Sequence, residues 1–144
     1  MTIEHIGIAV KDMEASNQLF EKLLGIAPYK TEKVDSEHVD TSFFQLGASK
    51  IELLHATQSD SAIAKFIEKK GEGIHHIAYG VPDVAGALAS AAGRGLALVD
   101  EVPRPGARNT MTGFVDPGLP GGTLVEYVQD PQLNIELAHS PQLA

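Results

Sequence analysis

Two histidines and two glutamates stand at matching places in two halves of this chain. Ile3-Glu4-His5-Ile6-Gly7-Ile8-Ala9-Val10-Lys11-Asp12 aligns with Ile74-His75-His76-Ile77-Ala78-Tyr79-Gly80-Val81-Pro82-Asp83, and in each a histidine precedes an aspartate by seven residues. The copies are offset by 71 residues in a chain of 144. Each half then reaches an apolar run holding one glutamate, Lys50-Ile51-Glu52-Leu53-Leu54 and Thr123-Leu124-Val125-Glu126-Tyr127, 47 residues after His5 and 50 after His76. Packing alone does not ask for charged residues at matching strand positions. Two imidazoles and two carboxylates form an N2O2 donor set suited to Zn2+, Co2+, Ni2+, Mn2+ or iron. A six-coordinate ion with four protein ligands keeps two positions for a substrate with two oxygens, on which it acts as a Lewis acid. The expectation is one divalent ion per chain, bound by His5, Glu52, His76 and Glu126.

The elements around these residues must bring them together. Ile3–Val10 alternates with the period of a strand, placing Ile6, Ile8 and Val10 on one face and His5, Gly7 and Ala9 on the other. In the second copy Ile77, Tyr79 and Val81 oppose His76, Ala78 and Gly80. The apolar face is expected under a helix, and the small residues of the other face leave volume beside each imidazole. The same count puts His75 on the helix-packing face, as a structural or surface histidine and not a ligand. Glu52 shares its face with Lys50 and Leu54, and Glu126 with Leu124 and Val128.

Asp12 and Asp83 are suitable N-caps, and Gly25 and Gly95 suitable terminators, for helices with buried stripes Leu19, Phe20, Leu23, Leu24 and Val84, Ala87, Leu88, Ala91. Gly47-Ala48-Ser49 between Thr41–Leu46 and Lys50–Leu54 predicts a hairpin. Ser59–Lys70 reads as a further helix, capped by Ser59 or Asp60, with Ile63, Phe66 and Ile67 inward; Lys65, Lys69 and Lys70 form its solvated face. Leu96–Val102, Met111–Val115 and Thr123–Val128 read as strands, separated by the turns Pro103–Gly106 and Pro117–Gly122. The predicted fold class is α+β: two tandem βαβββ modules, about 1–58 and 74–130, joined by a connecting helix at 59–73. Together they form a curled mixed β-sheet around a metal-binding cleft. Residues 1–130 make one domain, and 131–144 a C-terminal tail or a segment that packs on a neighbouring subunit.

Composition narrows the partners. There is no cysteine, which excludes disulfide frameworks, thiolate metal sites and cysteine nucleophiles. Acidic residues outnumber basic ones 19 to 11, for a net charge of −8, so nucleic acid and anionic membranes are not expected partners. No tryptophan and only eight aromatics argue against a base-stacking platform. No apolar run approaches the length of a membrane span, and the first residues carry no signal-peptide pattern, so a cytoplasmic location is expected.

The paired βαβββ halves with His and Glu ligands resemble the vicinal oxygen chelate superfamily, which includes glyoxalase I, extradiol dioxygenases and bleomycin-resistance proteins. Three segments carry a closer resemblance, to the methylmalonyl-CoA epimerase family: His5-Ile6-Gly7-Ile8-Ala9-Val10, Lys50-Ile51-Glu52-Leu53-Leu54, and Ile63-Ala64-Lys65-Phe66-Ile67-Glu68-Lys69-Lys70-Gly71-Glu72-Gly73-Ile74-His75-His76-Ile77-Ala78. Gly121-Gly122-Thr123-Leu124-Val125-Glu126 also matches, and the likeness spans residues 3–130. It implies a divalent ion on His5, Glu52, His76 and Glu126, with Co2+ favoured and Zn2+, Ni2+ or Mn2+ possible, an acyl-CoA thioester substrate and a homodimer. The family has Gln or Glu at the position of Glu52.

There are departures from the family. Thr41 stands where some epimerases have a second acid/base glutamate; Asp116-Pro117-Gly118 replaces His-Pro-Lys; and Gly106-Ala107-Arg108-Asn109 replaces Gly-Ala-His-Gly. Loss of that lysine makes Arg104 and Arg108 candidates to supply the charge for coenzyme A. In a methylmalonyl thioester the α-hydrogen lies between two carbonyl carbons, and epimerisation removes it from one face and returns it to the other. The expected bases are Glu126, with Glu52 as partner, both doubling as ligands; Glu37 and Asp40 are the reserve carboxylates. Two other functions fit the same segments. One is glyoxalase I, acting on a glutathione hemithioacetal. The other is a metal-free small-molecule binder, which the retention of all four ligands disfavours.

Overall fold

In the computed structural model, which describes residues 1–131, the two histidine segments are strands β1 (Thr2–Ala9) and β5 (Gly73–Gly80) with the same burial, residue for residue. They pair antiparallel at the centre of the sheet, Ile6 opposite Ile77. Around them run α1 (Met13–Leu24), β2 (Lys30–Val34), β3 (Val39–Leu46), β4 (Ser49–Ala56) and α2 (Ala62–Lys70) on one side of the sequence. On the other run α3 (Val84–Gly93), β6 (Ala97–Leu98), β7 (Arg104–Pro105), β8 (Met111–Asp116) and β9 (Leu124–Gln129). The strand order is β2-β3-β4-β1-β5-β9-β8-β6, with β7 paired to β8. β1 runs parallel to β4 and β5 parallel to β9, so each module repeats the other's pairing across the central strands. The α+β fold with its mixed sheet is as expected. The sheet is open, yet it curls far enough for its two ends to meet: the Arg108 backbone N–H donates to Glu32 of β2 at 3.1 Å, and Arg104 pairs with Glu37 just after β2.

Each module has its own core. α3 lays Val84, Leu88 and Ala91 on Val81 and Val115, as its small-residue stripe predicts. α1 packs Met13, Phe20 and Leu24 on Phe44 and Leu53. Here the expected stripe is corrected: Leu19 and Leu23 are 60% and 69% exposed. The inward row runs 13, 17, 20, 24, and its member Asn17 is polar, accepting a hydrogen bond from the Ser42 hydroxyl at 2.6 Å. Adjacent leucines are therefore split between the two sides of the helix. α2 begins at Ala62, and its cap is Ser61, which accepts from the Ala64 N–H, not Ser59 or Asp60. Its residues Ile63, Phe66 and Ile67 pack with Ala9, Val39 and Leu54.

Asp12 caps α1 as expected, with Gly25 closing it in the left-handed region, but Asp83 makes no capping bond. The Val84 N–H that opens α3 donates instead to the Gln129 side chain at 2.8 Å. The strand expected over Leu96–Val102 shrinks to two residues, and the turn at Pro103–Gly106 contains β7. The first module gains β2, a solvent-facing edge strand without the apolar alternation that would mark it in sequence. The expected C-terminal tail lies, from residue 132 on, outside the described residues.

Leu88 is 1% exposed under the second module. Leu88→Ala is expected to destabilise the protein by about 2–5 kcal/mol in urea unfolding. Leu23→Ala is expected to change stability by no more than about 0.5 kcal/mol.

Candidate metal centre and cavity

Strand register brings the four residues together. Gly7 of β1 lies opposite His76 on one neighbouring strand and Glu52 on the other. Ala78 of β5 lies opposite His5 and Glu126. The two small residues thus sit at the centre of the site with a histidine and a glutamate flanking each. A Cβ added at Gly7 would stand 2.2 Å from Cε1 of His76, so glycine is required to seat that ring.

All four side chains are buried, at 3% exposure for His5 and His76, 6% for Glu52 and 7% for Glu126. The two Nε2 atoms lie 2.9 Å apart. Oε2 of Glu52 is 3.2 Å from His5 Nε2, and Oε2 of Glu126 is 3.2 Å from His5 Nε2 and 2.9 Å from His76 Nε2. His5, Glu52 and His76 offer ligand atoms within 4.8 Å of one another. His76 stacks edge-on against Phe114, ring centres 5.2 Å apart.

Strict alternation fails at two places, and both matter. The β1–β5 register shifts between Ile3 and His5 and between Gly7 and Ile8, leaving Glu4 and His75 as bulge residues immediately before the two histidines. A bulge turns two successive side chains toward one side. Glu4 is fully buried and accepts from His5 Nδ1. His75 brings its Nδ1 to 2.9 Å from that of His76, while packing edge-on against Phe66 of α2. His75, expected on the helix-packing face, is corrected: the bulge turns it to the side of His76, and it lines the cavity. Burial, with the neighbouring His76, pushes its pKa down to about 4, so it is neutral near pH 7.

Glu4 had no sequence signal, because alternation assigned it to the opposite face. Burial pushes its carboxyl up, but the His5 hydrogen bond and the charges of His5, Arg108 and Lys50 hold it well below the usual range. Lys50 Nζ and Arg108 Nη2 reach its Oε1 at 3.0 and 2.7 Å, and Arg108 Nη1 reaches Asp130 at 2.7 Å. Arg108, a candidate for coenzyme A, is thus committed inward, with Glu4 and Asp130 raising its pKa despite burial. Arg104 pairs with Glu37 and Asp100.

Charge tests the donor set. Among the described residues here, Lys50 and Arg108 offset Glu4 and Asp130. Glu52 and Glu126 remain beside two imidazoles, a residual of two negative charges when the rings are neutral, which a divalent ion balances. The donor types and their convergence fit such an ion. The two glutamates differ in their own right. Burial pushes Glu52 up, against the pull of His5 and His76. Burial acts on Glu126 too, but His5 and His76 outweigh it and hold it well below the usual range. His5 is pulled down by burial yet raised overall by Glu52 and Glu126. Thr112, also without a sequence signal, donates its hydroxyl to Oε1 of Glu126.

A cavity of about 160 Å³ opens from the site. Glu52, His76 and Glu126 stand on its wall with Thr41, and Val39, Leu54, Ile63, Val99, Phe114 and Leu124 make much of the rest apolar. Thr41 donates to the Glu32 carbonyl at 2.8 Å. Glu37 reaches the cavity wall, while Asp40 does not and stands 4.0 Å from His55 instead. Of the two loops departing from the epimerase pattern, Gly106 and Ala107 line the cavity, and Asp116-Pro117-Gly118 is not among the lining residues.

Residues 4–114 match the model of the glyoxalase/bleomycin resistance protein/dioxygenase superfamily. An ethylmalonyl-CoA/methylmalonyl-CoA epimerase of Cereibacter sphaeroides is 36% identical over 131 residues, covering 88% of this chain and 96% of the relative. The mitochondrial methylmalonyl-CoA epimerase of Bos taurus is 31% identical, covering 88% and 73%. A solved methylmalonyl-CoA epimerase in complex with methylmalonyl-CoA and NH4+ superimposes with a TM-score of 0.84 at 32% identity, covering 92% of this chain and 96% of the other.

The seat of His76 gives a direct test of the site. Gly7→Ala is expected to strip most divalent ion from protein dialysed against Co2+ or Zn2+, as are His5→Ala and His76→Ala. Ala78→Gly and His55→Ala are expected to keep it. Elemental analysis against protein concentration reads the outcome, and full occupancy in Gly7→Ala would contradict the site geometry.

Proposed function

This chain belongs to the glyoxalase/bleomycin resistance protein/dioxygenase superfamily, in its methylmalonyl-CoA epimerase group, and from that membership we propose that it interconverts (R)- and (S)-methylmalonyl-CoA with one divalent ion on His5, Glu52, His76 and Glu126. It is an enzyme of the racemase/epimerase class. The observation that carries the finer reading is the convergence of two buried imidazoles and two buried glutamates, three of which, Glu52, His76 and Glu126, stand on the wall of one largely apolar cavity. Glyoxalase I is not favoured, since both relatives reported above are epimerases.

His5, Glu52, His76 and Glu126 would hold a divalent ion, which when bound would supply Lewis acidity toward the substrate oxygens. The protein supplies the proton transfers. Glu126 is our assigned base. Its Oε1 is fixed by Thr112 and its Oε2 by the imidazoles, which also favour its ionised form. Glu52, held on the other flank of the centre beside His5, is the assigned partner serving the opposite face. Thr41, tied to a backbone carbonyl, leaves Glu37 as the other carboxylate on the cavity wall. The apolar wall accommodates the α-methyl group and excludes water from the carbanion.

Family membership also supports a homodimer; the described helices include none long and apolar enough to cross a membrane. A cytoplasmic site of action is part of this proposal.

Metal-loaded protein is expected to epimerise either methylmalonyl-CoA epimer without a redox cosubstrate. Inertness toward both, with production of lactoylglutathione from the hemithioacetal, would reassign it to glyoxalase I. Glu126→Gln and Glu52→Gln are expected to lower turnover by about 10²–10⁴-fold, because an amide cannot accept the proton. Each should impair solvent deuterium exchange preferentially from one epimer. Wild-type exchange in both, with metal still bound, would make the glutamates ligands alone and move the base to Glu37.

A further inference from the structure

The duplicated strands place different residues at equivalent bulges: Glu4 before His5 and His75 before His76. Glu4 is fully buried and is not on the cavity wall, so it does not meet a substrate there. Every strong contact it makes is to a donor. Its Oε2 accepts from His5 Nδ1, and its Oε1 receives Lys50 at 3.0 Å and Arg108 at 2.7 Å. Those two cations are themselves held. Asp130 lies 2.7 Å from Arg108 and 3.7 Å from Lys50, the Arg108 backbone donates to Glu32 at 3.1 Å, and its guanidinium stands 5.2 Å from the centre of the Phe43 ring. Rotating the Glu4 carboxylate would break charged bonds at both oxygens.

An ionised carboxylate only accepts hydrogen bonds, so the Nδ1 that meets it carries the proton. A neutral His5 ring is then bare at Nε2, the atom that faces Glu52, Glu126 and His76. We propose that Glu4 is a positioning residue that holds His5 in its Nδ1-protonated form, with its Nε2 lone pair aimed into the centre, and that Lys50, Arg108 and Asp130 are the frame that keeps Glu4 in place. The proposal rests on reading the centre as a divalent-ion site. A carboxylate behind the imidazole makes it a more basic, better-oriented ligand, and loss of such a partner typically weakens metal binding by ~10- to 100-fold. The second module repeats the geometry with a neutral partner, since His76 Nδ1 meets an imidazole in place of a carboxylate. The two histidines are therefore unequal ligands, His5 the stronger.

The test uses the whole chain. In Zn2+-loaded wild-type protein, long-range ¹H–¹⁵N correlation spectra are expected to show His5 protonated at Nδ1 and unprotonated at Nε2; the reverse assignment overturns the proposal. Chelator competition is then run on wild type, Glu4→Gln, and the charge-balanced double variant Glu4→Leu/Lys50→Met, which removes the carboxylate with one of its cations and leaves the Arg108–Asp130 pair. Both variants are expected to bind Zn2+ ~10- to 100-fold more weakly than wild type, and their Co2+ forms to show a shifted visible spectrum. Wild-type affinity and spectrum in the folded double variant overturn the proposal, because the loss in Glu4→Gln alone then reflects an unbalanced charge. A wild-type protein that takes up no divalent ion overturns the metal reading itself, a result visible before any variant is made.

Discussion

A carboxylate moved from water into a protein interior costs several kcal/mol unless charge and hydrogen bonds replace its hydration, and this fold buries four around one centre: Glu4, Glu52, Glu126 and Asp130. Much of the surrounding structure answers that demand. Lys50 and Arg108 reach in from opposite modules to Glu4 and Asp130. The Thr112 hydroxyl, the two imidazoles and, in our reading, a divalent ion answer for Glu52 and Glu126. The compensation also crosses between modules, with Arg108 reaching Glu4 and His5 reaching Glu126. The ion pairs that join the sheet's two ends follow the same logic.

The duplication explains how one strand pattern yields a single site. Antiparallel pairing of β1 with β5 sets each histidine across from the small residue that follows the other by two positions. Parallel pairing of each with its outer neighbour sets a glutamate on that residue's other flank. Gly7 and Ala78 are thus the floor of the centre, and the difference between them is sterically real. His76 leaves no room for a Cβ at Gly7, while Ala78 is accommodated beside His5. The symmetry stops at the shell behind the histidines, where a charged cluster backs one and a neutral imidazole the other. The centre is thus nearly two-fold in its four inner residues and unequal in what surrounds them.

Much of this was legible in the chain itself. The repeat of His5 and His76 at seven residues before an aspartate, with Glu52 and Glu126 at similar distances downstream, identified the four residues that the fold brings together. The alternation of small and apolar residues assigned both histidines to the correct face, and the Ala-rich stripe of α3 marked its buried side. These features are local, so spacing and side-chain size were enough to reveal them. Helix edges were less visible. The Ser61 cap and the exposure of Leu19 and Leu23 depend on which side of a helix meets the sheet, and adjacent apolar residues do not encode that.

Tertiary structure alone decided the rest. A bulge is a property of two paired strands, so no count along β1 could show that Glu4 turns inward beside His5, and none along β5 that His75 reaches the cavity. Arg108 stood in the sequence as a candidate charge for coenzyme A; only the curl of the sheet, which carries its loop back over Glu32 and Phe43, makes it an internal counter-ion. Thr112 gained its role through β8 lying beside β9, fourteen residues from the glutamate it fixes. Sequence determined which groups the fold gathers into one centre because residue type and period are written locally. What stands behind those groups was set by long-range pairing and by the need to neutralise charge out of reach of water.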